Sequence, residues 1–248
     1  MASPSRRILC AIFAHPDDET FVVGGLVARL ATDGGRAHLY CATDGDAGRA
    51  SGVPVSSRQE LAALRRAELR SAARILGFDD VRAPGHTDGA LGDVDPDVLT
   101  GEIVQFLRQH RPQVVVTFGP EGGRNAHRDH RAISRAATAA YYLAGVRTAF
   151  PEQLADGLTP HTPSRLFYSA WPTPGPGDEL RHESLPVNAR VDVRAWNDRK
   201  RAAFLLHATQ RDHQARFEKL ALTDDETFAL VSEQRTGMLR DLFADVDG

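Results

Sequence analysis

The 248 residues include only two cysteines, Cys10 and Cys41, each inside an apolar run. A disulfide framework is thereby excluded, although a single bridge is not. Long hydrophobic stretches are missing too. No run approaches the roughly 20 apolar residues that a membrane-crossing helix requires, so no membrane partner is expected. Basic charge is not in excess: 30 Lys+Arg against 33 Asp+Glu leave a net charge of −3 and a pI of about 6.4. That argues against a nucleic-acid partner, whose phosphates call for a basic surface. Lysine is almost absent, with only Lys200 and Lys219 among the 30 basic residues, which reads as a compositional bias toward Arg and Ala.

What is present is an ordinary globular balance, 42% hydrophobic and 25% charged. Disorder and collagen-like structure are excluded by it. The length suits one large domain or two small ones, and the lack of repeat, low-complexity segment or linker favours a single domain over residues 1–248. Arg6-Arg7 ahead of the apolar run 8–14 imitates a short signal peptide. That run ends in His15-Pro16-Asp17-Asp18-Glu19, not in a small-residue cleavage site, so it reads as a first strand and the protein as cytoplasmic.

Apolar runs at 8–14, 37–42 and 113–118 have the continuous pattern of strands covered on both faces, and a short strand is expected at Val81. Helices are predicted at 20–32, up to Leu76 with Gly77 as its stop, at 96–110 and at 130–143. Gly-rich loops separate them at 44–56 and 119–126. The order predicts an α/β fold: a doubly wound, mostly parallel, Rossmann-like sheet with helices on both faces and extra C-terminal elements. In that C-terminal part strands are expected at 166–170 and 227–231, a Pro/Gly loop at 172–177 and a helix at 195–210. Such sheets bind ligands at the carboxyl ends of their strands.

Two clusters fall at that edge. His15, Asp17, Asp18 and Glu19 follow the first strand; His127, Asp129 and His130 follow the strand ending at Phe118. A catalytic zinc takes imidazole nitrogen and carboxylate oxygen from three ligands and keeps one position open. His15 and Asp18, three apart at a helix start, aim at one point, and His130 supplies a third ligand. Asp17 is then left beside the open position as general base, and His127 as donor to a developing oxyanion. Helix capping competes as an explanation, because first turns favour Pro, Asp and Glu. The coincidence of two histidine-bearing clusters at one sheet edge favours the metal.

Polar residues also interrupt apolar faces. Along the helix ending at Leu76, Leu61, Leu64, Ala72 and Ile75 define an apolar arc that includes Arg65 and Glu68. These two either pair with each other or border the pocket, reaching the substrate or the surroundings of the metal. Trp196, Lys200, Ala203, His207 and Gln210 share a stripe, read either as the wall of a polar pocket or as an exposed face with a snorkelling Lys200. Asp44-Gly45-Asp46 and Asp88-Gly89 are turn signals whose carboxylates also suit a hydroxyl-rich substrate.

Together these residues resemble the PIG-L/LmbE-like zinc N-deacetylases, which act on N-acetylglucosamine conjugates. The likeness runs from residue 8 to about residue 231. It is carried by His15-Pro16-Asp17-Asp18-Glu19, Thr43 to Gly48, Arg65-x-x-Glu68, Asp88-Gly89, His127-Arg128-Asp129-His130, and Lys200 with His207 and Gln210. The resemblance implies zinc, or ferrous iron, on His15, Asp18 and His130. It implies Asp17 as base, His127 as partner of the tetrahedral intermediate and Asp129 as the group that orients His127 or His130. Arg65, Asp88 and Arg49 would hold the sugar or its aglycone. The implied reaction is removal of the acetyl group from a small amino-sugar conjugate. Alternatives are a phosphoesterase, an amidase acting on a thiol conjugate of an amino sugar, or a sugar-binding protein without catalysis. A homo-oligomer is compatible with the sequence. Arg128 replaces the family's usual proline, and Arg124-Asn125 stand where some relatives carry a tyrosine.

Overall fold

In the computed structural model, residues 7–172, 184–234 and 237–246 are described. Their strands are β1 (Ile8–Phe13), β2 (Arg36–Cys41), β3 (Asp80–Arg82), β4 (Val114–Thr117), β5 (Arg165–Ser169), β6 (Ala189–Asp192) and β7 (Asp225–Leu230). They form one sheet in the order β3-β2-β1-β4-β5-β7-β6. The first five are parallel; β7 and β6 join antiparallel. β1 is the middle of the five parallel strands, with Ala11 in register between Leu39 and Val116. Leu9 to Phe13 are wholly buried, which explains a run without polar alternation. The chain moves outward from β1 through β2 to β3, then returns to place β4 on the other side. A crevice therefore opens beyond the carboxyl ends of β1 and β4.

Helices α1 (Asp18–Thr32), α2 (Arg58–Leu76), α3 (Pro96–His110) and α4 (Arg128–Leu143) cover the sheet. Their ends are written locally. Ser57 Oγ accepts from Glu60 N and the Glu60 carboxylate accepts from Ser56 N, a reciprocal cap for α2; Gly77 ends it at φ 101°. Asp95 and Pro96 open α3 in the same spirit. α1 and α4 each start two residues earlier than the sequence reading placed them, because Asp17 and His127 occupy the N-cap positions. The short α5 (Pro151–Ala155), α7 (Gln214–Leu220) and β6 carry too few periodic residues to be foreseen.

The C-terminal third is keyed into α1 from the side. A Cβ at Gly25 would lie 2.6 Å from Val193 Cβ, so only glycine permits this approach. Glu226 of β7 then accepts the N–H groups of Gly25 and Leu26 at 2.7 and 2.8 Å. Lys200 of α6 (Asn197–Leu205) pairs with the same carboxylate at 2.6 Å. Lys200 is thus buried and does not snorkel. The helix expected over 195–210 is broken as well: α6 ends at Leu205, and 3-10 turns flank it at Arg194–Trp196 and Ala208–His213. Glu68 causes the break, drawing Thr209 N and Oγ1 to its two carboxylate oxygens at 3.0 and 2.6 Å. The Pro/Gly loop at 172–177 lies, beyond Pro172, outside the described residues. Cys10 and Cys41 are buried and unbonded. Among the described residues no helix is long and apolar enough to cross a membrane.

Two predictions follow from buried polar groups of this scaffold. The Arg108 guanidinium donates to the carbonyls of Ala144, Val146, Ala149 and Phe150 and to Gln153 Oε1, at 2.8–3.1 Å. Arg108→Met leaves those acceptors without donors and is expected to destabilise the fold by about 3 kcal/mol or more. A urea titration reads this as a lower midpoint at unchanged slope. At the β3 edge of the sheet, Glu102 accepts from Tyr40 Oη at 2.6 Å and from His86 Nε2 at 2.9 Å. The Glu102 hydrogen bond raises the pKa of His86 against the effect of burial. Burial would raise that of Glu102, but the bonds from His86 and Tyr40 outweigh it and leave it lowered. The His86 contribution is complete below its unfolded pKa of about 6.5 and disappears as pH climbs through the raised folded value. The Glu102 contribution is present above about pH 4.3 and disappears as pH falls. His86→Ala should therefore lower Tm more near about pH 5.5 than near about pH 8.5; equal losses at both would contradict the pairing.

Candidate metal centre

β1 delivers His15 to the crevice, the start of α1 delivers Asp17 and Asp18, and the start of α4 delivers His127, Asp129 and His130. His15 Nδ1 lies 3.1 Å from His130 Nε2 and 3.5 Å from Asp18 Oδ2; His130 Nε2 lies 3.3 Å from Asp18 Oδ1. Donors placed about 2.0–2.2 Å from one tetrahedral ion are about 3.3–3.6 Å apart, and Asp18, which turns one oxygen to each ring, approaches both at about that spacing. The far nitrogen of each ring is tied to oxygen. His15 Nε2 faces Asp88 Oδ1 at 3.1 Å and Asp129 Oδ2 at 3.4 Å, and His130 Nδ1 donates to Gly122 O at 3.1 Å. Such ties leave the near nitrogens as lone-pair donors. Phe118 stacks on His130 at 3.9 Å and holds its plane.

Two overlapping trios, His15 with His127 and His130 and His15 with Asp88 and Asp129, also bring donor atoms within 4.8 Å. Their acceptors also hold backbone N–H groups, as Asp18 Oδ2 holds His15 N at 2.8 Å. Asp129 accepts from Gly89 N at 2.6 Å and Leu91 N at 3.2 Å, Asp88 accepts from Ala47 N at 3.0 Å, and His127 Nδ1 accepts from Asp129 N at 3.2 Å. Asp18, Asp88 and Asp129 thus all bring a carboxylate oxygen to His15.

Electrostatics point the same way. Burial opposes charge on His15, yet bonds to Asp129, Asp18 and Asp88 lift its pKa well above the ordinary value. Burial would raise Asp18, but His130 and His15 hold it far below the usual carboxylate range. The pocket attracts positive charge. His127 differs: burial, then the neighbouring His15 and His130, depress its pKa and keep it neutral. With Nδ1 accepting, its proton belongs on Nε2.

Asp17 caps nothing. It stands at the N-cap of α1 with φ 99° and ψ −28°, and its side chain makes no capping bond. Capping therefore does not explain this carboxylate. Burial pushes its pKa up to about 6, against the pull of Arg65. Arg65 Nη2 lies 3.5 Å from Asp17 Oδ2, and the guanidinium donates to Pro16 O and Gly45 O, both at 2.6 Å. Gly45, at φ 66°, lets the loop close over this group, since a Cβ there would sit 2.2 Å from Nη1.

Several expectations are corrected here. Arg65 and Glu68 do not pair with each other, because each finds a buried partner on another element: Arg65 the 16–17 corner, Glu68 Thr209. The Asp129 carboxylate orients His15, not His127 or His130, drawn there by the Gly89 and Leu91 N–H groups. Arg49 is exposed and outside the cavity lining; among the described residues its carbonyl accepts from Gln210 Nε2 at 3.1 Å. A cavity of about 680 Å³ runs from His15, Asp17 and His130 past Phe21 and Trp171 toward Arg190 and Arg216. Arg65, Asp88, His127, Lys200 and Gln210 also line it. The guanidinium of Arg124 stands 5.1 Å from the Trp171 ring centre. Trp171, Arg190 and Arg216 had no sequence signal, since nothing local marks which side of the sheet they reach.

A doubly wound sheet with imidazole and carboxylate donors converging at its switch point defines a class: an α/β protein built to hold a divalent metal at the mouth of a small-molecule cavity. The chain belongs to the PIG-L family, described as GlcNAc-PI de-N-acetylase, whose profile matches residues 10–141. It is 30% identical to the 1D-myo-inositol 2-acetamido-2-deoxy-alpha-D-glucopyranoside deacetylase of Rhodococcus opacus, over 98% of this chain and 95% of that one. Its fold is similar to that of the N,N'-diacetylchitobiose deacetylase of Pyrococcus horikoshii, with TM-score 0.74 and 22% identity over 91% of this chain and 84% of the other. It is also similar to GalB, the 4-carboxy-2-hydroxymuconate hydratase of Pseudomonas putida KT2440, with TM-score 0.72 and 20% identity over 94% of this chain and 99% of the other.

The donor geometry predicts one divalent ion per chain. Saturating metal at about 100 times its Kd should add about 2.7 kcal/mol of stability, read as a rise in Tm that a chelator reverses. His15→Ala should abolish both the bound metal and the rise, by elemental analysis and thermal melting.

Proposed function

We infer that this protein hydrolyses the acetamide of an N-acetylglucosamine-type amino-sugar conjugate, releasing acetate and the free amine. The observation that carries this reading is the half-buried carboxylate of Asp17, which caps no helix, beside His15, Asp18 and His130 in the lining of a conjugate-sized cavity. The Rhodococcus relative, named for a deacetylase reaction on such a conjugate and matched along nearly the whole chain, supports it over the hydratase chemistry named for a protein of similar fold.

Zinc suits the two imidazoles and one carboxylate, and ferrous iron is the alternative for the same donors. A divalent ion held there supplies Lewis-acid polarisation of the amide and eases ionisation of water. Asp17 takes the proton of the attacking water and passes it to the departing nitrogen. With a pKa near 6, its carboxylate is mostly ionised at neutral pH, and Arg65 favours that form. His127, neutral and protonated on Nε2, donates to the carbonyl oxygen as it gains charge. Asp129 and Asp88 hold the far side of His15, so its metal-facing nitrogen stays aimed. Asp88 and Arg65, which line the cavity, would hold the sugar or its aglycone. Two buried, unbonded cysteines suit a reducing compartment, the cytoplasm.

Asp17→Asn should keep metal content and lose about 10²–10⁴ in turnover, the usual loss on removing a general base. Acetate release from a panel of N-acetylglucosaminides, read beside metal analysis, tests this. Full activity in the variant would overturn the role of Asp17; stoichiometric glycan binding without acetate release by the wild type would overturn the enzyme reading.

A further inference from the structure

Asp17 is held from two directions, and only one involves its carboxylate. Arg65 grips the Pro16 carbonyl and the Asp17 side chain. The other grip is on the backbone. Glu19 Oε2 accepts the Asp17 N–H at 3.0 Å, while Glu19 Oε1 accepts from Thr20 Oγ1 at 2.5 Å and from His207 Nε2 at 2.8 Å. Glu19 is fully buried and His207 nearly so. A left-handed backbone is strained for a non-glycine residue and persists only where its surroundings over-determine it. At Asp17 the over-determining contact is the Glu19 carboxylate, and a buried carboxylate stays aimed only while its donors do.

His207 is built for that one contact. It sits where α6 breaks, at φ −80° and ψ 64°, and the break is fixed from α2 by Glu68 holding Thr209. Its Nδ1 is buried with no hydrogen-bond partner among the described residues, so the Nε2–Glu19 bond is the ring's one hydrogen bond. A ring with an unpartnered buried nitrogen carries a cost that packing alone does not require. We propose that Glu19 and His207 are positioning residues for Asp17: His207 Nε2–H anchors the Glu19 carboxylate, which holds the Asp17 peptide in the left-handed turn that presents its side chain beside the metal donors. This rests on the reading of Asp17 as base. It also explains the distant Glu68, which reaches the site through Thr209 and His207 rather than by contact.

The test contrasts His207→Gln, whose amide nitrogen falls near the place of Nε2 and can still donate to Glu19, with His207→Asn, one bond shorter and out of reach. Asparagine also leaves the larger void, so thermal melts of both variants are read beside the kinetics, and the position of residue 17 separates lost aim from lost packing. Steady-state kinetics on an N-acetylglucosaminide, metal analysis and crystal structures of both variants are compared with wild type. His207→Asn should lose about 10²-fold in kcat, the scale of a misplacement near 1 Å, with KM and metal content unchanged. Residue 17 should leave the left-handed region in that variant. His207→Gln should restore kcat and keep the positive φ. The proposal is overturned if His207→Asn retains kcat and a left-handed residue 17, or if both variants lose kcat equally and in step with bound metal. The crystal structures decide the backbone claim even if the wild type releases no acetate, so failure of the deacetylase reading and failure of the positioning role are distinguishable.

Discussion

Three lone-pair donors aimed at one point repel one another unless positive charge sits among them. His15 Nδ1, His130 Nε2 and Asp18 are held in that opposed arrangement by everything around them. Asp88 and Asp129 hold the back of one ring, Gly122 O and the face of Phe118 hold the other, and the N–H groups of Gly89 and Leu91 hold Asp129. Each of these contacts restrains a donor that would otherwise turn away from its neighbours. The arrangement suits a cation at its centre.

The same logic runs outward into the C-terminal third. Lys200 with Glu226, His207 with Glu19 and Thr209 with Glu68 are buried polar pairings between that segment and helices α1 and α2. Buried polar groups are costly when misaligned and specific when satisfied, so three such pins leave the segment one way to lie. That placement brings β7 and α7 to wall the cavity beside the metal donors.

The sheet accounts for where the site is, not for what it does. Proteins named for deacetylation and for hydration share this architecture at low identity. A fold shared by proteins named for different reactions does not set the chemistry, which lies in side chains carried on the loops at the switch point.

The amino-acid sequence by itself determined the strand and helix order through α4, the crevice and the two clusters that meet in it. Those features follow from periodicity, caps and turn residues, which act over a few positions. The Gly77 stop, the Pro96 start and the buried run through Phe13 needed no distant partner. Only the tertiary structure decided which carboxylate serves which base. Arg65 and Glu68, adjacent on one helix face, went to different partners, Asp129 chose His15 over its own neighbours, and the helix containing His207 broke toward Glu68. The physical reason is that a buried polar group takes the best partner that packing brings near, and in a folded chain that partner is often far away in sequence.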